Sequence, residues 1–202
     1  VRNNDYVHFM KGKFRRLLVP LFFVGIPFSL LQSLAPGVNQ DVTLWDAFFS
    51  FIIPINHFWF IQAIFIIFIT IGFFEQRGLI SSKSSLYALL LGSSILFLIL
   101  NFSLDLFGVN GAIYLLPFFV AGMICQNEKD HLSSSVSKPA LFLLFLIFAS
   151  LLYLACTSRE LVVDRTSISG LLIGCISCAA FFFANLRSKR MVWLGSYSYA
   201  IF

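Results

Sequence analysis

Apolar runs of fifteen to twenty residues alternate with short polar segments along most of this chain. Six such runs stand out: Leu17–Leu34, Phe58–Phe74, Leu86–Leu104, Gly111–Cys125, Ala140–Cys156 and Ile168–Leu186. A further run, Met191–Phe202, ends with the sequence itself. A helix of about 20 apolar residues crosses a hydrocarbon core of about 30 Å. The pattern predicts an all-α, polytopic transmembrane helix bundle with six spans and the start of a seventh, forming one transmembrane domain over residues 1–202. Gly111–Cys125 is short and holds Pro117, so a tilted or broken helix is expected there. The stretch LWDAFFSFIIPI (44–55) is too short to span and is expected to lie along the interface or re-enter it, with Trp45 as an anchor.

Composition agrees. Hydrophobic residues make up 59% of the chain and charged residues 11%, against about 25% charged in a soluble domain. With the N-terminal segment placed in the cytoplasm, 12 of the 14 Lys and Arg fall in inner loops, leaving only Arg159 and Arg165 outside. That asymmetry follows the positive-inside rule and supports a cytoplasmic N-terminal segment. It accounts for the net charge of +5 without a nucleic-acid partner, the lipid bilayer being the partner these residues meet. The chain opens at Val1 and stops at Phe202 within an apolar run, so it reads as an internal fragment of a longer protein. Cys175 and Cys178 lie one helical turn apart in mid-span, where thiols act as small hydrophobes and not as a redox or metal pair. Nearby Gly170 and Gly174 form a small-xxx-small face for close helix packing, within one chain or between two.

No charged residue falls inside the spans so drawn, which argues against an ion-coupled transporter. Two constellations remain. The first is NHFW (56–59), where Asn56, His57 and Trp59 head an apolar run broken only by Gln62 and Thr70. His57 is open to two readings: an interfacial residue beside a belt tryptophan, or a side chain facing a water-filled cavity and hydrogen-bonding a polar substrate. The second is KGKFRRLLVPLFF (11–23), which runs from basic residues straight into an apolar span. It reads as a stop-transfer anchor attracted to anionic lipid, or as a phosphate clamp at the cytoplasmic mouth. Val7, Phe9, Met10 and Phe14 interleave with the basics, so residues 1–16 are expected to lie flat on the inner surface as a cytoplasmic lead-in.

Four stretches together resemble the membrane-bound acyltransferase family 3, the O-acetyltransferases of bacterial surface glycans. KGKFRRLLVPLFF is similar to that family's basic approach to a middle helix, and HFWFIQAIF (57–65) to its His-Leu-Trp-Phe-Leu signature. YLLPFFVAGMI (114–124) resembles its short Phe-rich helix, and WLGSYSYAIF (193–202) its Leu-Gly-x-x-Ser-Tyr stretch. The resemblance implies transfer of an acyl group, commonly acetyl, from acyl-CoA (acetyl-CoA) to a hydroxyl of a carbohydrate or lipid-linked glycan. It implies that His57 is the catalytic-site histidine of this segment and orients the acceptor, with Asn56 and Trp59 lining the acceptor site. Ser198 and Tyr199 would hydrogen-bond close to the cavity, and Lys13, Arg15 and Arg16 would face the donor's phosphates; no metal is implied. The family's first helix carries an Arg and, about ten residues on, a His presumed to be the base; this sequence starts after that helix. A glycan or lipid carrier without chemistry, and a non-catalytic membrane subunit of the same fold, are the competing readings.

Overall fold

The computed structural model describes residues 3–34, 45, 49, 52–53, 58–100, 106–128, 138–157, 167–184 and 193. Seven α-helical segments occur among them, and no strand: α1 (Asn3–Pro20), α2 (Ile26–Leu34), α3 (Trp59–Gln76), α4 (Lys83–Ile99), α5 (Val109–Asn127), α6 (Lys138–Thr157) and α7 (Ile168–Ala184). Tyr6–Leu34, Trp59–Gln76 and Val109–Asn127 are long and apolar enough to cross a membrane. The chain is an all-α, integral membrane protein.

The basic segment and the first apolar run form one helical run. Lys and Arg are good helix formers, so nothing in residues 11–16 stops a helix that hydropathy alone would start at Leu17. Between α1 and α2 the turn Leu21–Gly25 widens to π geometry. Two residues later Pro27 would press its ring on the Phe23 carbonyl in a regular helix, and a wide turn there relieves the clash.

α3 is the hub of the first compact unit, Val1–Ile124. One of its faces carries Ala63, Ile67 and Ile71 at four-residue spacing, and these bury against Ala112 and Val120 of α5. Its other face carries Ile61 and Phe65, which pack on Leu18 and Leu21 at the end of α1. α4 joins through Phe97, whose ring stacks on Tyr114 of α5 at 5.3 Å and meets Phe118 edge-on at 6.0 Å. α4 starts at a reciprocal cap in which the Ser82 hydroxyl accepts from the Ser85 N–H and the Ser85 hydroxyl from the Ser82 N–H. Pro117 lies inside an unbroken α5, so the break expected there is absent.

Several hydroxyls along the helices fold back on their own backbone, as an apolar solvent favours. Thr70, a polar interruption in α3, donates to the Ile66 carbonyl at 3.0 Å, and Ser94 donates to Leu90 at 2.8 Å. In the second unit, Cys125–Phe202, α6 and α7 pack on each other. There Ser150 donates to the Leu146 carbonyl and Ser177 to that of Gly174, each at 2.8 Å. The thiols of Cys175 and Cys178 are free.

Candidate functional site

α1 runs antiparallel to α3, and side-chain pairs fix the register. The Tyr6 hydroxyl donates to the Ile69 carbonyl at 3.4 Å, and a Cβ at Gly72 would lie 3.0 Å from the Tyr6 ring. Phe9 meets Phe68 edge-on at 6.2 Å, and Phe14 meets Phe65 at 6.3 Å. Further along, Phe58 reaches the Gly25 backbone and the Phe28 ring. Residues 11–16 therefore lie beside the middle of α3, about level with residues 62–67, and not beyond its end. The basic segment is packed alongside α3. Hydropathy places each helix by its own composition; here the neighbour's aromatic side chains set the depth.

The basic residues divide between two faces of α1. Lys13 points into the α1–α3 seam, where its ammonium stands 3.7 Å from the Phe68 ring centroid and 5.2 Å from that of Phe9. Phe68 is itself held edge-on by Phe119 of α5 at 5.7 Å. A cation on the negative face of a ring that is gripped at its edges is a favourable electrostatic arrangement. His8, Lys11, Gly12, Arg15 and Arg16, at i, i+3, i+4, i+7 and i+8, form the opposite face, and all five are exposed.

At the head of α3, the Trp59 indole lies against α5. A Cβ at Gly111 would come within 2.6 Å of Trp59 Cε3, so only glycine leaves room for the ring. Just before α5, Phe107 and Gly108 both adopt positive φ, 53° and 67°. This turn brings Gly108 so close that a Cβ there would stand 2.8 Å from the Trp59 carbonyl oxygen. The Phe107 N–H donates to the Ile52 carbonyl at 2.7 Å, tying Ile52 to the turn before α5. Of that stretch only Trp45, Phe49, Ile52 and Ile53 are described, and the N–H groups of Ile52 and Ile53 both donate to the Phe49 carbonyl. Gln62, one turn below Trp59, is fully buried.

The profile of the family described as "Acyltransferase domain", acyltransferase 3, matches residues 1–202. The chain belongs to the acyltransferase 3 family. No curated protein and no solved structure matches it.

For an acyltransferase 3 protein the site residues expected from sequence fall into three groups. Lys13, Arg15 and Arg16 lie on one helix at one depth, with Lys13 turned to Phe68 and the two arginines turned away from α3. Trp59 stands at the head of α3, partly buried, with its benzo edge used in packing on Gly111. Asn56, His57, Ser198 and Tyr199 lie outside the described residues. Sequence reasoning missed Phe68, Gly108 and Gly111, which set the positions of Lys13 and Trp59. Gly111 was visible only as the start of an apolar run; its partner lies on another helix, and no local pattern announces that contact.

Proposed function

We propose that the protein is a membrane-bound O-acyltransferase. It moves an acyl group, in the first instance acetyl, from acyl-CoA to a hydroxyl of a cell-surface glycan or its lipid-linked precursor. The observation that supports this reading within an acyltransferase family is the cationic turn of α1 held alongside α3, roughly one to three helical turns from the Trp59 head. Phosphates held by Arg15 and Arg16 would leave the donor's flexible arm directed along α3 toward Trp59. Guanidinium forks match phosphate oxygens in pairs, and Lys13 adds positive potential from within the seam.

In the reaction the acceptor hydroxyl oxygen attacks the thioester carbonyl carbon. The C–S bond breaks, the acyl group becomes an ester, and coenzyme A leaves as a thiolate that takes up the hydroxyl proton. On this reading His57 and Asn56 hold the acceptor hydroxyl at the head of α3, and Trp59 offers an apolar face to the sugar. The family resemblance also gives Ser198 and Tyr199 a hydrogen-bonding part in substrate binding. The basic end of α1 faces the cytoplasm of a bacterial cell and the Trp59 end faces outward.

The test uses the intact protein in membranes with acyl-labelled acyl-CoA and an isolated glycan acceptor. Label should pass to the glycan as an alkali-labile ester. His57→Ala should lower turnover by about 100-fold, the usual scale for a group acting on a transferring proton, at unchanged protein level. Label that stays on coenzyme A while glycan crosses the membrane would make the protein a carrier.

A further inference from the structure

We propose that Phe107 is a positioning residue for the acceptor site: the left-handed turn it holds before α5 seats Gly108 on the Trp59 backbone and so sets where the indole stands. This deepens the reading of Trp59 as the acceptor's apolar face, and rests on it.

Phe107 has φ 53°. A bulky side chain in that region crowds its own backbone, and turns that require it normally use glycine or asparagine. Gly108, at φ 67°, is such a glycine. Phe107 is the one residue other than glycine with positive φ among the described residues. Such a conformation persists only where the surroundings fix it, and backbone of this kind gathers at functional sites. Three contacts fix it here. The Phe107 ring packs on the cluster of Leu18, Leu21 and Phe65, meeting the Phe65 ring at 6.4 Å. Its N–H donates to the Ile52 carbonyl at 2.7 Å, and the Val109 N–H donates across the turn to the Leu106 carbonyl at 3.2 Å.

The turn delivers Gly108 onto the first turn of α3. A Cβ at Gly108 would stand 2.8 Å from the Trp59 carbonyl oxygen, 3.1 Å from Gln62 Cβ and 3.2 Å from the Ala63 nitrogen, so a side chain has no space there. The same glycine opens α5, because the Ala112 N–H donates to its carbonyl at 2.9 Å. Gly111, on that first turn of α5, takes the Trp59 ring. Trp59 is thus gripped twice, its backbone by Gly108 and its ring by Gly111. If Phe107 left the left-handed region, the chain would enter Gly108 in another direction and both contacts would change together.

The test separates the turn from the packing. Phe107→Ala and Phe107→Gly lose the same ring, but only glycine takes φ 53° freely. Both are made in the intact protein carrying Trp45→Phe and Trp193→Phe, so that emission reports Trp59 alone. Acetyl transfer from acetyl-CoA to the isolated glycan, the KM of each substrate, Trp59 emission and thermal unfolding are measured in membranes. Phe107→Ala should raise the acceptor KM roughly tenfold, the ratio that matches the penalty of an L side chain in left-handed backbone. It should also shift the Trp59 emission and leave the donor KM unchanged. Phe107→Gly should keep the acceptor KM within about twofold of the parent, with the parent's emission, although loss of the ring lowers its unfolding temperature. Equal acceptor KM in the two variants overturns the proposal, whatever their stability. If neither variant folds, Phe107→Asn against Phe107→Leu repeats the comparison, since asparagine tolerates left-handed backbone and leucine does not. If the parent transfers no acetyl, the acyl-transfer reading falls and emission decides alone. A shift in Phe107→Ala and not in Phe107→Gly then leaves the turn as what positions Trp59, and no difference between them refutes it.

Discussion

An ammonium 3.7 Å above the Phe68 centroid is held by the quadrupole of the ring, an attraction of about 0.5–2 kcal/mol. A guanidinium can make the same contact and an aliphatic chain cannot. Lys13→Met should therefore destabilise the α1–α3 seam by about 1 kcal/mol, whereas Lys13→Arg should be close to neutral. Arg15→Gln, on the open face, should leave stability unchanged and raise the KM for the donor. Thermal unfolding in detergent, run beside donor saturation curves, checks both halves. If Lys13→Met raised the donor KM with no loss of stability, Lys13 would be a ligand to the donor. If it did both, the seam would be transmitting its loss to the neighbouring arginine face. In a Lys-x-x-Arg spacing the two residues look equivalent on paper. They part company only because Phe68, on another helix, offers a ring face to one of them.

Helices meet here through glycines that no local pattern marks. Gly111→Ala would drive a methyl group against the Trp59 ring from a Cβ position 2.6 Å away, and neither the ring nor α5 can yield without loosening the buried Ala63–Ala112 contact region. A destabilisation of about 1–3 kcal/mol is expected, the usual range for overpacking a core. Acceptor affinity should fall as the indole is displaced, and a shift in Trp59 fluorescence would report that displacement. Trp59→Leu combined with Gly111→Ala should recover part of the stability and none of the affinity. The elements themselves were readable from sequence. Phe58–Phe74 became Trp59–Gln76, Ala140–Cys156 became Lys138–Thr157, and Ile168–Leu186 became Ile168–Ala184. The Leu17–Leu34 run is the apolar part of a helical run that begins earlier, at Asn3. Of the tilt or break expected at Pro117, the break does not occur, since α5 continues through it. Of the candidate site, the residue types and the shared helix of the basic cluster were legible. Its depth and the split between Lys13 and the arginines were not, since both depend on partners in α3.

The helices of the first unit do not share one hydrophobic level. Tyr6–Leu34 spans 29 residues, about 43 Å at the usual helical rise, while α3 has 18 residues, about 27 Å. At the head of α3, Phe58 reaches Gly25 and the Phe28 ring, and α2 continues past it. A bilayer centred on α3, α4 and α5 immerses the basic turn of α1; one centred on the apolar half of the first run would leave most of α3 outside the hydrocarbon. Burying three apolar helices outweighs burying one, at about 25 cal/mol per Å² of apolar surface. The depth of two exposed leucines decides between these placements. Leu91 lies midway along α4 and is 65% exposed; Leu31 lies near the end of α2 and is 69% exposed. Nitroxide labels at Leu91→Cys and Leu31→Cys, in a background with the 4 native cysteines replaced, can be compared by oxygen and nickel-chelate accessibility in bilayers. Leu91 should be the deeper, because Leu31 lies beyond the level of Trp59. Equal depth, or a deeper Leu31, would move the bilayer centre onto α2. Arg15 and Arg16 would then lie at the headgroup level, where lipid phosphates can meet them.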